Sequence, residues 1–148
     1  MRAIYVSALC LGLVVSAAGA QVGNNISVLN PNLADESELL ALPELDAAQV
    51  DALIAARPLA SSGAMVEALG DSLGEVQREA LLSHLFVPIN LNKASREEIM
   101  LVPGISRRMA HEFEEYRPYK SIEQFRREMG KYVDQDEVAR LERYVELR

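Results

Sequence analysis

The chain carries one pattern twice, offset by 60 residues without a gap, and this limits its folds more than any other feature. Asn30, Asn32, Ala34 and Glu38 recur as Asn90, Asn92, Ala94 and Glu98. Pro43 recurs as Pro103, Arg57-Pro58 as Arg117-Pro118, Ser61 as Ser121, Gly70 as Gly130 and Leu81 as Leu141. A period of this size marks one supersecondary unit used twice, so the chain reads as units 29–88 and 89–148 behind a lead-in at 21–28.

Each unit reads as helical. No stretch alternates with period two, and helix starts recur at short intervals. In unit two, Ser95 with Glu98, Ser121 with Gln124 and Asp134 with Glu137 have capping-box spacing, and Ser106 caps a helix that Pro118 ends. Apolar positions follow at helical spacing: Ile99 and Val102; Met109, Phe113 and Tyr116; Ile122, Phe125 and Met129; Val138, Leu141 and Val145. Unit one repeats the plan through Asp35/Glu38, Asp46/Gln49, a third cap at Ser61 or Ser62, and a fourth helix carrying Leu81, Leu82 and Leu85. The expected fold is all-α, with about four short helices per unit. The connection Phe86-Val87-Pro88-Ile89 is no Gly/Ser linker, so the units are expected to pack together.

Residues 1–20 have the form of an export signal. Arg2 precedes an apolar run from Ala3 to Val15, and Ala18-Gly19-Ala20 is a small-residue cleavage site. The run is short of the roughly 20 residues a membrane span needs, so cleavage is expected rather than anchoring, with a periplasmic or secreted product. Cleavage after Ala20 removes Cys10, the only cysteine, and with it any disulfide, thiol nucleophile or cysteine metal site.

The formal net charge of −7 conceals an asymmetry. Unit one has two basic residues (Arg57, Arg78) against ten acidic; unit two has twelve of each. An acidic field repels nucleic acid and anionic membranes at long range, so any contact with DNA must come from unit two.

The only motif with binding chemistry is Leu101-Val102-Pro103-Gly104-Ile105-Ser106, between the first two helices of unit two. A Pro-Gly turn reverses the chain tightly, with Gly104 taking a backbone conformation that side chains resist. The next helix then begins with bare N–H groups, which with the helix dipole suit a phosphate. Arg107 and Arg108 follow directly, and Lys93 and Arg96 lie on the helix before.

With Asn-Leu-Asn-Lys-Ala-Ser-Arg-Glu-Glu-Ile before it and Tyr-Arg-Pro-Tyr-Lys-Ser-Ile-Glu-Gln-Phe after it, this segment resembles the helix-hairpin-helix repeats of the ComEA competence proteins. The resemblance covers residues 89–129 well and 29–69 in weakened form. It implies two tandem helix-hairpin-helix units in an exported, non-enzymatic protein that binds double-stranded DNA through its phosphates. A DNA-backbone site of Gly104, Ile105, Ser106, Arg107, Arg108, Lys93 and Arg96 follows from it. PsbU, an extrinsic photosystem II subunit, is a similar relative that uses the fold for protein contact alone, which implies an envelope protein complex as the other partner.

The chain departs from the family pattern at three places. Ser106 stands where the family has a second glycine. The second hairpin reads Met129-Gly130-Lys131-Tyr132-Val133-Asp134, setting a carboxylate where a phosphate would sit. In unit one, Glu44 replaces the hairpin glycine and Asp46 caps the helix, filling the anion site, so unit one is not expected to bind DNA.

Other features read as structural. Arg126-Arg127 read as an exposed face balanced by Glu123 and Glu128, Arg57 and Arg117 as complements to helix dipoles, and Tyr116/Tyr119 as packing between helices. His111 and Glu115 share a helix face but supply two metal ligands without a third. Asn25-Ile26-Ser27 has the form of a glycosylation triplet. No nucleophile elbow, phosphate loop, zinc-protease helix or catalytic carboxylate pair is present, so no enzyme, cofactor, metal or small-molecule substrate is expected.

Overall fold

The computed structural model of the protein describes residues 21–22 and 27–148. The expected signal at 1–20, with Cys10, and the Asn25 glycosylation site lie outside the described residues. Unit one contains α1 (Glu36–Leu40), α2 (Ala47–Ala55), α3 (Ser62–Leu69), a 3-10 turn (Gly70–Ser72) and α4 (Glu75–His84). Unit two contains α5 (Arg96–Met100), α6 (Arg107–Glu115), α7 (Ile122–Met129) and α8 (Gln135–Glu142). The all-α expectation holds, with four helices in each unit.

The caps explain where these helices start. Asp35 with Glu38, Asp46 with Gln49, and Ser95 with Glu98 form reciprocal capping boxes. Ser61, not Ser62, caps α3; the Ser62 hydroxyl is buried and accepts the Val87 N–H at 2.8 Å. Ser121 and Asp134 cap α7 and α8 from their side only. Gln124 turns its carbonyl to the Lys120 N–H, and Glu137 is drawn to Arg140.

The duplication extends to individual hydrogen bonds. The Asn32 amide exchanges two bonds with the Leu59 backbone at 2.9 and 2.7 Å, and Asn92 does the same with Tyr119 at 2.9 and 2.6 Å. Arg57 donates to the carbonyls of Pro31 and Ala34, and Arg117 to those of Leu91 and Ala94, all at 2.6–2.7 Å. The two arginines are therefore structural, but they clamp the loop before α1 or α5 instead of complementing a helix dipole.

The purely helical reading needs one correction. Three short strands, β1 (Gln21–Val22), β2 (Ile89–Asn90) and β3 (Val145–Leu147), form a sheet in the order β1-β3-β2. Val145, at helical spacing from Leu141, belongs to β3. Extending the chain there lets the carbonyls of Tyr144 and Glu146 accept from Ile89 and Leu91. A parallel bridge from Leu29 to Leu85 is its counterpart in unit one.

One hydrophobic core runs through both units. Phe86, from the connection, meets Tyr144 edge-on at 5.1 Å, and Phe113, Phe125 and Tyr119 form a second aromatic group inside unit two. Four buried positions of unit two carry glutamate where unit one has apolar residues: Glu112, Glu128, Glu142 and Glu146 stand at the places of Ala52, Ala68, Leu82 and Phe86. A buried carboxylate needs a partner. Arg126 holds Glu142 with two bonds of 2.8 and 2.6 Å, Arg127 and Lys131 hold Glu128, and Arg148 holds Glu146 at 2.7 Å. Much of the basic content of unit two is thus counter-charge for its own interior. No helix among the described residues is long and apolar enough to cross a membrane.

Candidate nucleic-acid interface

The turn between α5 and α6 is centred on the glycine that the sequence marked. Gly104 adopts φ +72°, a conformation that costs other residues about 1–2 kcal/mol. Its N–H-bearing neighbour Ile105 is turned inward: the side chain is buried, and the N–H donates to the Val102 carbonyl at 3.1 Å. Ile105 therefore shapes the turn, while Gly104 and Ser106 are exposed. Ser106 caps α6 through the Met109 N–H at 3.2 Å, and no carboxylate caps this helix.

The arginines and the lysine divide by position. Arg107 and Arg108 are both exposed at the first turn of α6. Arg107 makes no ion pair among the described residues, and the Arg108 guanidinium lies 5.6 Å from the centre of the Tyr132 ring. Arg96 is ion-paired with Glu114 across α5 and α6, so its charge is already matched. Lys93 is not on the helix, since Ser95 caps α5 two residues later, and it lines a polar cleft between the units with Asn30, Glu98, Glu146 and Arg148. Pro103, Gly104 and Ile105 line a separate cleft, so Lys93 is not gathered with the hairpin.

One supporting residue escaped the sequence reading. Arg140 on α8 donates to the Pro103 carbonyl at 2.6 Å, is held by Glu137 through two bonds of 2.7 Å, and lies within 3.4 Å of where a Cβ on Gly104 would sit. Glu137 beside it raises its pKa further, so the charge is permanent. The repeat held the signal: Gly104 with Arg140 in unit two stands against Glu44 with Ala80 in unit one. Glu44 instead takes an ordinary negative φ, and its carboxylate is largely buried, 3.2 Å from His84 Nδ1. The two hairpins thus differ in backbone as well as in charge.

The acids of α6 are directed elsewhere. Glu112 is buried, Glu114 pairs with Arg96, and Glu115 lies 3.4 Å from His111. Across the cleft from Met100–Ile105 stand Glu75, Arg78 and Glu79 of α4, so unit one presents both signs of charge there. The second hairpin keeps its carboxylate, with Asp134 capping α8. Tyr132 there shares a 2.8 Å hydroxyl contact with Tyr116, and that bond, with a second to the Glu112 carboxylate, raises its pKa. Burial raises that of Tyr119, which packs against Phe125. Among the described residues no three His, Cys, Asp or Glu side chains converge as a metal site would require.

These features define two short helices joined by a left-handed glycine turn, with two exposed arginines directly beyond it. Residues 85–141, which span both hairpins of unit two, match the helix-hairpin-helix motif family. No curated protein and no solved structure matches the chain.

Proposed function

We propose that this is an exported, non-enzymatic protein, ComEA-like in its use of unit two, that grips the phosphate backbone of double-stranded DNA without reading sequence. The observation that carries this reading is the contrast between the hairpins at one repeat position. Unit two has a left-handed glycine, a neutral cap and two exposed arginines; unit one has Glu44 and Asp46. Gly104 and Ser106 would shape the anion site, and Arg107 and Arg108 would supply the charge. With few cations available the affinity is modest and strongly salt-dependent.

Titration of a fluorescent duplex at low and near-physiological salt tests this. Arg107→Ala with Arg108→Ala should weaken binding uniformly across sequences and lower the slope of log K against log salt by about two. Lack of binding by the parent protein at low salt would overturn the reading.

A second reading is favoured by the matched charges of Arg96, Arg126, Arg127, Lys131, Arg140 and Arg148, all ion-paired within unit two. On that reading the chain is a PsbU-like interaction subunit of a periplasmic or membrane-associated complex, and acidic unit one docks a basic partner. Co-purification with one envelope complex, together with absent DNA binding, is its expected signature.

A further inference from the structure

Six residues line a hollow of about 240 Å³ in unit one: Asp46, Ala48, Gln49, Ala52, Leu69 and Ser72. At the 60-residue offset these positions become Ser106, Arg108, Met109, Glu112, Met129 and Tyr132. Where unit one has the small residues Ala48, Ala52 and Ser72, unit two has an arginine, a glutamate and a tyrosine, and the tyrosine contacts both of the others. The Arg108 guanidinium lies 5.6 Å from the centre of the Tyr132 ring, and the Tyr132 hydroxyl bonds to the buried Glu112 carboxylate. Two further differences belong to the same group. Tyr116, at the place of Ala56, shares the 2.8 Å hydroxyl contact with Tyr132. Lys131, at the place of Asp71, sets its ammonium 4.9 Å from the centre of the Tyr116 ring.

Tyr132 is the fixed member of this group. Its hydroxyl is held by Tyr116 and Glu112, and its N–H donates to the Met129 carbonyl at 2.9 Å. A carboxylate oxygen accepts, so Tyr132 donates to Glu112 and accepts from Tyr116. Arg108 is the free member: it is exposed, and no hydrogen bond or ion pair holds it among the described residues. A ring contact occupies none of the guanidinium N–H donors, so the group is restrained and still able to bind. An unrestrained arginine gives up side-chain entropy when it meets a phosphate, whereas a restrained one has already given up part of it. Arg107, the other exposed cation of this turn, meets no ring among the described residues.

We propose that Tyr132 of the second hairpin is a positioning residue for Arg108, its ring presenting the guanidinium to a DNA-backbone phosphate bound at the first hairpin. The second hairpin, whose following helix is capped by the carboxylate of Asp134, then acts through the first. This role rests on the DNA-binding reading of unit two and adds to it a residue outside the Gly104 turn. A cation–ring contact at an exposed site is equivalent to about two- to fivefold in affinity.

Titration of a fluorescent duplex at low salt, with the protein expressed from the full sequence and purified as the cell processes it, tests this through two variants. Tyr132→Phe and Tyr132→Leu both lose the hydroxyl and its hydrogen bonds, but only Tyr132→Phe keeps a ring face for Arg108. Circular dichroism should show both folded, since Tyr132 is exposed. Tyr132→Phe should bind as the parent does, and Tyr132→Leu about two- to fivefold more weakly. In an Arg108→Ala background the two variants should bind alike, because the ring then has nothing to hold. If the parent binds and the two variants bind alike with Arg108 present, the tyrosine is only structural. If they differ just as much without Arg108, the ring meets DNA itself. Either result overturns the proposal and leaves the DNA reading standing, whereas a parent that does not bind at low salt overturns both.

Discussion

Arg117 and Arg57 reach back 26 and 23 residues to fasten the loop that launches each unit. Hydrogen bonds from a charged donor contribute about 1.5–3 kcal/mol each, less where water competes. Arg117→Ala should therefore lower stability to urea by about 2–3 kcal/mol, with Arg117→Lys intermediate because an ammonium cannot span both carbonyls. A loss under half a kilocalorie would mean that water replaces the clamp. The sequence marked these arginines as structural, but as complements to a helix dipole; their true partners were not legible, since carbonyls carry no side-chain signature. Gly104 was legible in the opposite sense, because Pro-Gly before a capped helix prescribes the turn. Its replacement by alanine should cost about 1–2 kcal/mol from the positive φ. The added Cβ would meet only the end of the Arg140 side chain, at 3.4 Å from Nη2, so urea unfolding reads the cost of the backbone.

Among the elements, helix starts were legible because a cap and its partner lie three residues apart, within reach of local reading. Ser95→Ala should cost about 1 kcal/mol by removing the bond to the Glu98 N–H. The strands were not legible: β2 and β3 are two and three residues long and pair across more than fifty positions. Nor did composition reveal that the basic residues of α7 serve buried carboxylates. Lys131 and then Arg127, by hydrogen bonds, lower the pKa of Glu128 from its ordinary 4.5. The folded protein therefore binds fewer protons than the unfolded chain between the two values, and stability falls as protons are added. This contribution is complete above pH 4.5 and is lost as pH falls through the lowered value. Urea midpoints measured across that interval should drop more for the parent than for Glu128→Gln, and parallel profiles would show that the pair does not couple folding to pH.

For the whole molecule, two units of similar fold suggest two folding events, but the packing argues for one. The core is continuous across both units. The connection contributes Phe86 to a ring contact with Tyr144 at 5.1 Å, and the Tyr144 hydroxyl reaches the Ser83 carbonyl at 3.5 Å. The lead-in strand β1 pairs with β3 at the far end of the chain, so the sheet of unit two is completed by residues beyond its own repeat. Small domains with such shared cores unfold in a single cooperative step. Calorimetry should give one transition with equal calorimetric and van't Hoff enthalpies. Phe86→Ala, removing a 1%-exposed ring between the units, should cost about 3–5 kcal/mol and lower that single transition. Two separated transitions in the parent, or a variant in which only one unit melts early, would show that duplication preserved independent folding. The differences already seen at the hairpins and at the four buried glutamates argue against that, because the copies have become unlike in both backbone and interior.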